Sequence, residues 1–273
     1  MKWMYKNIVS VKINCYKGFD YNQTFSGIKN SGFKYVELSV SKGNSANLSY
    51  DLNNEELNSI KNDLSDRGII PICIGGNSFL MDNDTSKILK NIELAKLFNC
   101  KYVDTTIFNA RSDKGILKSD KEIADRIKFF VPYLEKNDLD LVIELHGEYA
   151  TGAKLSKILD LVNSNHVHIN YDTGNALYWG KLSPNEMLND LNNCIDKISY
   201  MHIKDKLGEY DDWNFPAIGK GYVPFDEIFK LLNDSITLCV EIEFTQNGIS
   251  DIKEVDDALL FSSNYLKSKG FVL

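Results

Sequence analysis

Three observations predict a (β/α)8 barrel. Four apolar, β-prone runs each end in a residue that can bind a metal: LVIELH (Glu144), HINYD (Asp172), ISYMH (His202) and LCVE (Glu241). Strand-like and helix-like segments alternate through eight repeats with short connections. The chain has 273 residues, the usual size of one such barrel and too few for two large domains. A strand that is apolar along its length is normally a buried parallel strand. A carboxylate or imidazole at its C-terminal end has little packing reason to be there. An open doubly wound sheet is the competing architecture, but it usually carries GxGxxG after its first strand, and that fingerprint is absent. No linker, charge block or low-complexity tract marks a second domain, so residues 1–273 read as one.

The elements follow in order. IVSVKINCY near the start reads as the first strand, and a polar, Asn-rich connection leads to a short helix at Thr24–Ser31. KYVELSV (Lys34–Val40) is the second strand. LNNEELNSIKNDLSDRG has apolar residues at helical spacing and stops at Gly68. IIPICIGG (Ile69–Gly76) is the third strand, SKILKNIELAKLFNC the next helix, KYVDTTIF (Lys101–Phe108) the fourth strand and KEIADRIKFFVPYLEKN a long helix. LDLVIELH (Leu139–His146) is the fifth strand, followed by a helix at Ala153–Val162 and by HVHINYD, the sixth. In SPNEMLNDL, Ser183 is the expected N-cap with Pro184 at the first helical position. KISYMHIKD (Lys197–Asp205) is the seventh strand, PFDEIFKLLND a helix, ITLCVEIEF (Ile236–Phe244) the eighth strand, and a helix at about Lys253–Lys269 closes the chain.

Glu144, Asp172, His202 and Glu241 thus come from strands five to eight, which are consecutive around a barrel and can face one volume. Catalytic groups of such barrels sit at these C-terminal strand ends. Three carboxylates and one imidazole suit one hard or borderline divalent cation. Mn²⁺, Mg²⁺ or Co²⁺ fits best and Zn²⁺ is also accommodated. None of the four ends carries a cysteine, which argues against a thiolate zinc site.

VIELH, NYDTGN, YMHIKD, AIGKGYVPFDEIF and CVEIEF resemble successive motifs of the xylose isomerase-like TIM barrels. That superfamily includes sugar phosphate isomerases and epimerases, ketose 3-epimerases, hydroxypyruvate isomerases, inosose dehydratases and endonuclease IV. The motifs cover roughly the C-terminal half, and YVELS resembles the family's second strand. The resemblance implies that Glu144, Asp172, His202 and Glu241 are the metal ligands. It also implies that the two glutamates move protons, as in the epimerase and isomerase branches. Glu243 shares a face with Glu241 and is the alternative ligand; Glu241 is preferred as the first carboxylate of its motif. One motif departs from the family: DTGH reads DTGN, with Asn175 in place of the histidine. In endonuclease IV-like members that histidine helps to hold additional zinc.

The expected function is a metal-dependent isomerase or epimerase acting on a sugar, ketose or related polyol ketone. Proton transfer through an enediolate by Glu144 and Glu241 would be the reaction. An inosose dehydratase-type lyase and a non-catalytic sugar-binding barrel are the alternatives. His146, on the face of Glu144, is a candidate for a substrate hydroxyl or a rim histidine. Lys204 is a candidate for a substrate oxygen or a structural ion pair with its neighbourhood, and Glu37, at the end of the second strand, for a hydroxyl or a brace. Trp179, Trp213 and Phe215 could wall a sugar pocket or anchor loops. Lys220 in the Gly219-Lys220-Gly221 loop could meet a phosphate. His166 and His168 lie at the wrong end for chemistry and read as structural.

Net charge is −7, which disfavours binding to nucleic acid, where phosphate neutralisation dominates. No basic run with interleaved aromatics stands out. With only four histidines and Asn175 in the DTGH position, an endonuclease IV-like nuclease is disfavoured. No stretch approaches the ~18 apolar residues of a membrane span, and the opening residues lack a leader-like apolar region. The five cysteines form no CxxC pair and read as buried reduced thiols, favouring the cytoplasm. The expected partner is a small sugar or polyol, and the resemblance adds a homo-oligomer.

Overall fold

Eight parallel strands close on one another in the order β1 (Val9–Lys12), β2 (Tyr35–Ser39), β3 (Ile70–Gly75), β4 (Tyr102–Thr105), β5 (Asp140–Glu144), β6 (Val167–Asn170), β7 (Ile198–Ile203) and β9 (Thr237–Val240). Pairing of Val9 with Leu238 and of Val11 with Val240 seals the cylinder. Between β7 and β9 the chain contributes β8 (Asn214–Phe215), which forms a short antiparallel ribbon with β10 (Phe244–Thr245) above the barrel. The computed structural model describes residues 5–41, 47–76, 78–109, 113, 115 and 117–273. Residues 1–4, part of the segment read for a leader, lie outside this set.

The helices are α1 (Tyr21–Asn30), α2 (Asn54–Arg67), α3 (Ser86–Leu97), α4 (Asp120–Asn137), α5 (Gly152–Val162), α6 (Thr173–Tyr178), α7 (Pro184–Cys194), α8 (Phe225–Leu231) and α9 (Ile252–Lys269). Their starts are chemically marked. Asp20, Asn53, Ser119 and Ser183 each close a capping box with the Gln or Glu three residues on. Gly68 ends α2 at φ 71°, a backbone conformation in which a side chain would be strained. The helices bury apolar stripes such as Ile123, Ile127, Phe130 and Leu134 of α4 against the outer face of the strands.

Inside the barrel the two-residue strand period sorts the side chains into layers. The lower layer contains Cys73, Val142, Tyr200 and Cys239, with Tyr35 and Tyr102 packed against them. Two residues further along the same strands come Gly75, Glu144, His202, Glu241, Glu37 and Asp104, and the layer they form opens at the C-terminal end.

The first helix begins earlier than the sequence expectation and several strands are shorter than it, β4 ending at Thr105 short of the expected Phe108, and three of these differences shape the barrel mouth. The first strand stops at Lys12, because Ile13–Tyr16 forms a 3-10 turn that brings Asn14 inward to Glu241. The sixth stops at Asn170, and Asp172 becomes the N-cap of α6, a six-residue helix too short to show a helical apolar period. The eighth stops at Val240, and Phe244 turns at φ 57° into the ribbon. All five cysteines are buried free thiols. Among the described residues no helix is long and apolar enough to cross a membrane.

Candidate active site

Four buried side chains meet at the upper rim. Glu144 ends β5, Asp172 caps α6 just past β6, His202 lies on β7 and Glu241 follows β9. One ligand-type atom from each lies within 4.8 Å of all the others. The His202 ring is held from behind: its Nε2 is 2.9 Å from Glu37 Oε2. A neutral ring that donates there turns its Nδ1 lone pair to the opposite side, where Glu241 Oε2 is 3.4 Å away and Glu144 Oε1 3.7 Å. The Asn170 side chain accepts from the His202 backbone N–H at 3.0 Å and donates to Asp104 Oδ1 at 2.9 Å.

Asp172 shows why a cation fits. Its Oδ1 accepts the Asn175 N–H at 2.7 Å as the helix cap, while Oδ2 is buried with no hydrogen-bond partner and points at the same volume. Burying an unsatisfied carboxylate oxygen is costly unless a positive charge meets it.

Two buried lysines supply part of that charge. Lys12 Nζ is 3.0 Å from Glu241 Oε1, 3.3 Å from Glu37 Oε1 and 4.0 Å from both Asp104 Oδ2 and Glu144 Oε2. Lys204 Nζ is 3.3 Å from Glu241 Oε2 and 3.6 Å from Asp172 Oδ2, and it also pairs with Glu243. Six carboxylates therefore face two ammonium groups: Glu37, Asp104, Glu144, Asp172, Glu241 and Glu243 against Lys12 and Lys204. Burial opposes ionisation of every carboxyl, but Lys12 and His202, with Lys204 for Glu241, hold Glu144 and Glu241 below the usual carboxylate range. At Asp172, burial with the neighbouring Glu241 and Glu144 charges outweighs Lys204 and His202, and its carboxyl is pushed up to about 7. Burial and the Glu144 and Glu37 charges push Asp104 well above the normal range. At His202, burial and Lys12 are outweighed by the same carboxylates, Glu37 and Glu241 foremost, which push its ring well above the usual imidazole range, so the cluster draws positive charge to the point where its four candidate ligands meet.

The other residues singled out from sequence divide into groups. His146 faces the cavity shared with Glu144; its Nδ1 is buried without a hydrogen-bond partner and its ring lies 5.5 Å from Trp179. Trp213 and Phe215 join Tyr178 in an edge-to-face cluster at the mouth, with Trp179 against Tyr178 and the Lys204 ammonium 4.4 Å from the Phe215 ring centre. A cleft of about 350 Å³ is lined by Lys12, Asn14, His146, Lys204, Trp213 and Glu241 among others, the lower end of the usual range for small-molecule sites.

Two expectations need correction. Glu37 lies in mid-strand, fully buried and engaged by His202 and Lys12, so it braces the histidine and does not reach outward to a hydroxyl. The Gly219-Lys220-Gly221 loop has no amides to spare for a phosphate. The Asp205 carboxylate accepts from the N–H groups of Gly219 at 2.8 Å, Gly221 at 2.7 Å, Lys206 at 2.9 Å and Val223 at 3.3 Å. Lys220 instead lies over the Phe261 ring. Glu243, the alternative to Glu241, is more exposed and is the ion-pair partner of Lys204. His166 sits at the opposite end, near Leu139 O and Asp140 Oδ1, both at 3.0 Å.

Sequence reasoning missed Lys12, Asn14, Asp104 and Asn170, and it read Asn175 as a loss. In the structure Asn175 Nδ2 donates to Glu144 Oε1 at 3.0 Å and to Leu145 O at 2.9 Å, while its Oδ1 is 3.4 Å from Lys204 Nζ. The amide ties two site residues together where the family motif has an imidazole.

Comparison with known proteins agrees with the barrel fold. A family profile described as xylose isomerase-like TIM barrel matches residues 25–262. An inosose dehydratase of Geobacillus kaustophilus (strain HTA426) is 40% identical over 55 residues, which is 20% of this chain and only 17% of that protein. Among solved structures, D-psicose 3-epimerase with D-tagatose from Clostridium cellulolyticum H10 aligns with a TM-score of 0.75 at 12% identity, covering 96% of this chain and 99% of that one. IOLI protein with a binding zinc atom aligns at 0.73 and 15% identity, covering 96% and 97%. At such identities the structures speak for the fold alone. With the profile spanning most of its length and eight strands closed in sequence order, the chain belongs to the xylose isomerase-like TIM barrel family.

Proposed function

We propose that this protein is a sugar isomerase or epimerase, acting as one barrel domain over residues 1–273 in the cytoplasm, where reduced thiols persist. Glu144, Asp172, His202 and Glu241 would hold one divalent ion, which when bound supplies Lewis-acid stabilisation of negative charge on substrate oxygens. Mn²⁺, Mg²⁺ and Co²⁺ suit this oxygen-rich set, and Zn²⁺ is compatible with it.

The observation that carries the reading is the pair Glu144 and Glu241. They come from different strands, line one cleft and have carboxylate oxygens within 4.8 Å of each other. One takes the proton from the carbon next to the substrate carbonyl, leaving an enediolate. The other gives a proton back. Return to the opposite face of the same carbon inverts it; return to the neighbouring carbon moves the carbonyl. Glu144 and Glu241 are both held below the usual carboxylate range by the lysines beside them, as the group that takes the proton requires, so the group that gives one back must first take it from solvent. In this reading Lys204 and His146 hydrogen-bond substrate oxygens, and Trp179 and Trp213 wall the ring or chain. General acid–base action of this kind contributes on the order of 10²–10⁴ in rate.

The local likeness to an inosose dehydratase favours a second reading. Its first step would be the same proton removal, followed by departure of the β-hydroxyl as water.

A panel of ketoses, inososes and hydroxypyruvate, incubated with the protein and Mn²⁺ in D₂O and followed by NMR, tests both. Deuterium incorporation with no loss of water is the expected result; loss of water supports the lyase. Glu144→Gln and Glu241→Gln variants should each lose turnover by about 10²–10⁴. Full turnover in either would remove that residue from the reaction.

A further inference from the structure

We propose that Lys12 is a built-in cation that restricts the site to a single metal ion. The inference rests on the metal reading above and concerns a side chain outside the four residues read as ligands.

The Lys12 ammonium occupies a cage of four carboxylates, each from a different strand. Glu241 is 3.0 Å away, Glu37 3.3 Å, and Asp104 and Glu144 4.0 Å each. The side chain is only 8% exposed, so these oxygens and not bulk water are its surroundings. Glu37 Oε1 is buried and accepts no hydrogen bond; the charge facing it is Lys12. Gly75 makes the room. A Cβ at that position would lie 2.5 Å from Glu37 Oε1 and 3.2 Å from Asp104 Oδ2, so the two carboxylates lean into the space its missing side chain leaves.

Four carboxylates around one point are a hard-oxygen donor set that suits a divalent cation. Two of them, Glu144 and Glu241, also belong to the quartet with Asp172 and His202. Glu144 and Glu241 would therefore be available to a cation in the cage as well as to one in the quartet, and paired cations are a recurrent device of metal-dependent enzymes. An ammonium in the cage donates up to three hydrogen bonds, carries a single charge and cannot be exchanged for a metal ion. It balances part of the carboxylate charge while leaving one ion for the substrate to meet.

Metal stoichiometry tests this without any assay of turnover. Purified protein is titrated with Mn²⁺ and examined by elemental analysis and electron paramagnetic resonance. Wild type should bind one Mn²⁺ per chain with an uncoupled spectrum. Lys12→Met, which keeps the side-chain length and removes the charge, should bind two with an exchange-coupled spectrum. Lys12→Arg should bind one. If Lys12→Met does not fold, Lys12→Gln replaces it with the same expectation. One ion in both wild type and the uncharged variant, or two coupled ions in wild type, overturns the role of Lys12 while leaving the metal reading intact. No bound Mn²⁺ in wild type overturns the metal reading and this inference with it.

Discussion

The two layers of side chains inside the barrel share the same strands and lie one two-residue step apart, yet their chemistry is opposite. The lower one packs Cys73, Val142, Tyr200 and Cys239 against Tyr35 and Tyr102. Its few polar atoms are matched locally: Tyr200 Oη is 3.2 Å from Ser10 Oγ, and Tyr102 Oη is 3.4 Å from Thr237 Oγ1. Burial, with nearby negative groups, raises the Cys73 and Cys239 thiols and keeps them neutral. The upper one concentrates Glu37, Asp104, Glu144, His202 and Glu241 with Lys12, and it leaves Asp172 Oδ2 without a hydrogen bond. The layer beneath closes the underside of the charged one and touches it at one ring, Tyr200, which lies edge-on to His202 with centroids 5.7 Å apart. Stability and chemistry are thereby separated along one strand.

That separation can be broken from either side. The largest effect on stability should come from below. Tyr200→Ala removes a fully buried aromatic and should cost about 3–5 kcal/mol in urea unfolding, with Mn²⁺ stoichiometry unchanged. An altered stoichiometry would mean that the layers are not independent. Next comes the ion itself. At about 100 times its Kd, Mn²⁺ should stabilise the folded state by about 2.7 kcal/mol, and EDTA should reverse the gain in a thermal melt. Glu37→Gln weakens the support behind His202 and should lower Mn²⁺ affinity by about 10–100-fold in calorimetry, with an unchanged circular dichroism spectrum. The smallest change lies outside both layers: Ser183→Ala removes the α7 cap and should cost about 1 kcal/mol without touching metal affinity.

The barrel was legible because its signals are local and redundant. Apolar runs recur in each repeat, capping boxes open four of the helices, Gly68 stops α2, and Ser183 with Pro184 begins α7 where the pattern places it. The quartet was legible because a carboxylate or histidine at the end of an apolar run is conspicuous. Lys12 was hidden by the same logic: within VSVKINCY a lysine reads as the solvent-facing member of an alternating strand, and only barrel closure, which pairs β1 with β9, turns it toward Glu241. Asp104 and Asn170 were hidden likewise, since a polar residue inside a strand declares its face only when the partner strands are known. Asn175 was visible as a departure from the family motif. Its role as a bridge between Glu144 and Lys204 depends on α6, which is too brief to announce itself.

The Asp205 carboxylate, gathering four backbone N–H groups from the segment that follows β7, has a bearing on redesign. A loop tethered through its main chain keeps its course when its side chains are exchanged. Trp213, which hangs from that tether and lines the cleft, is therefore the place to vary when pocket width or shape is to be changed, while Asp205 itself should be left alone.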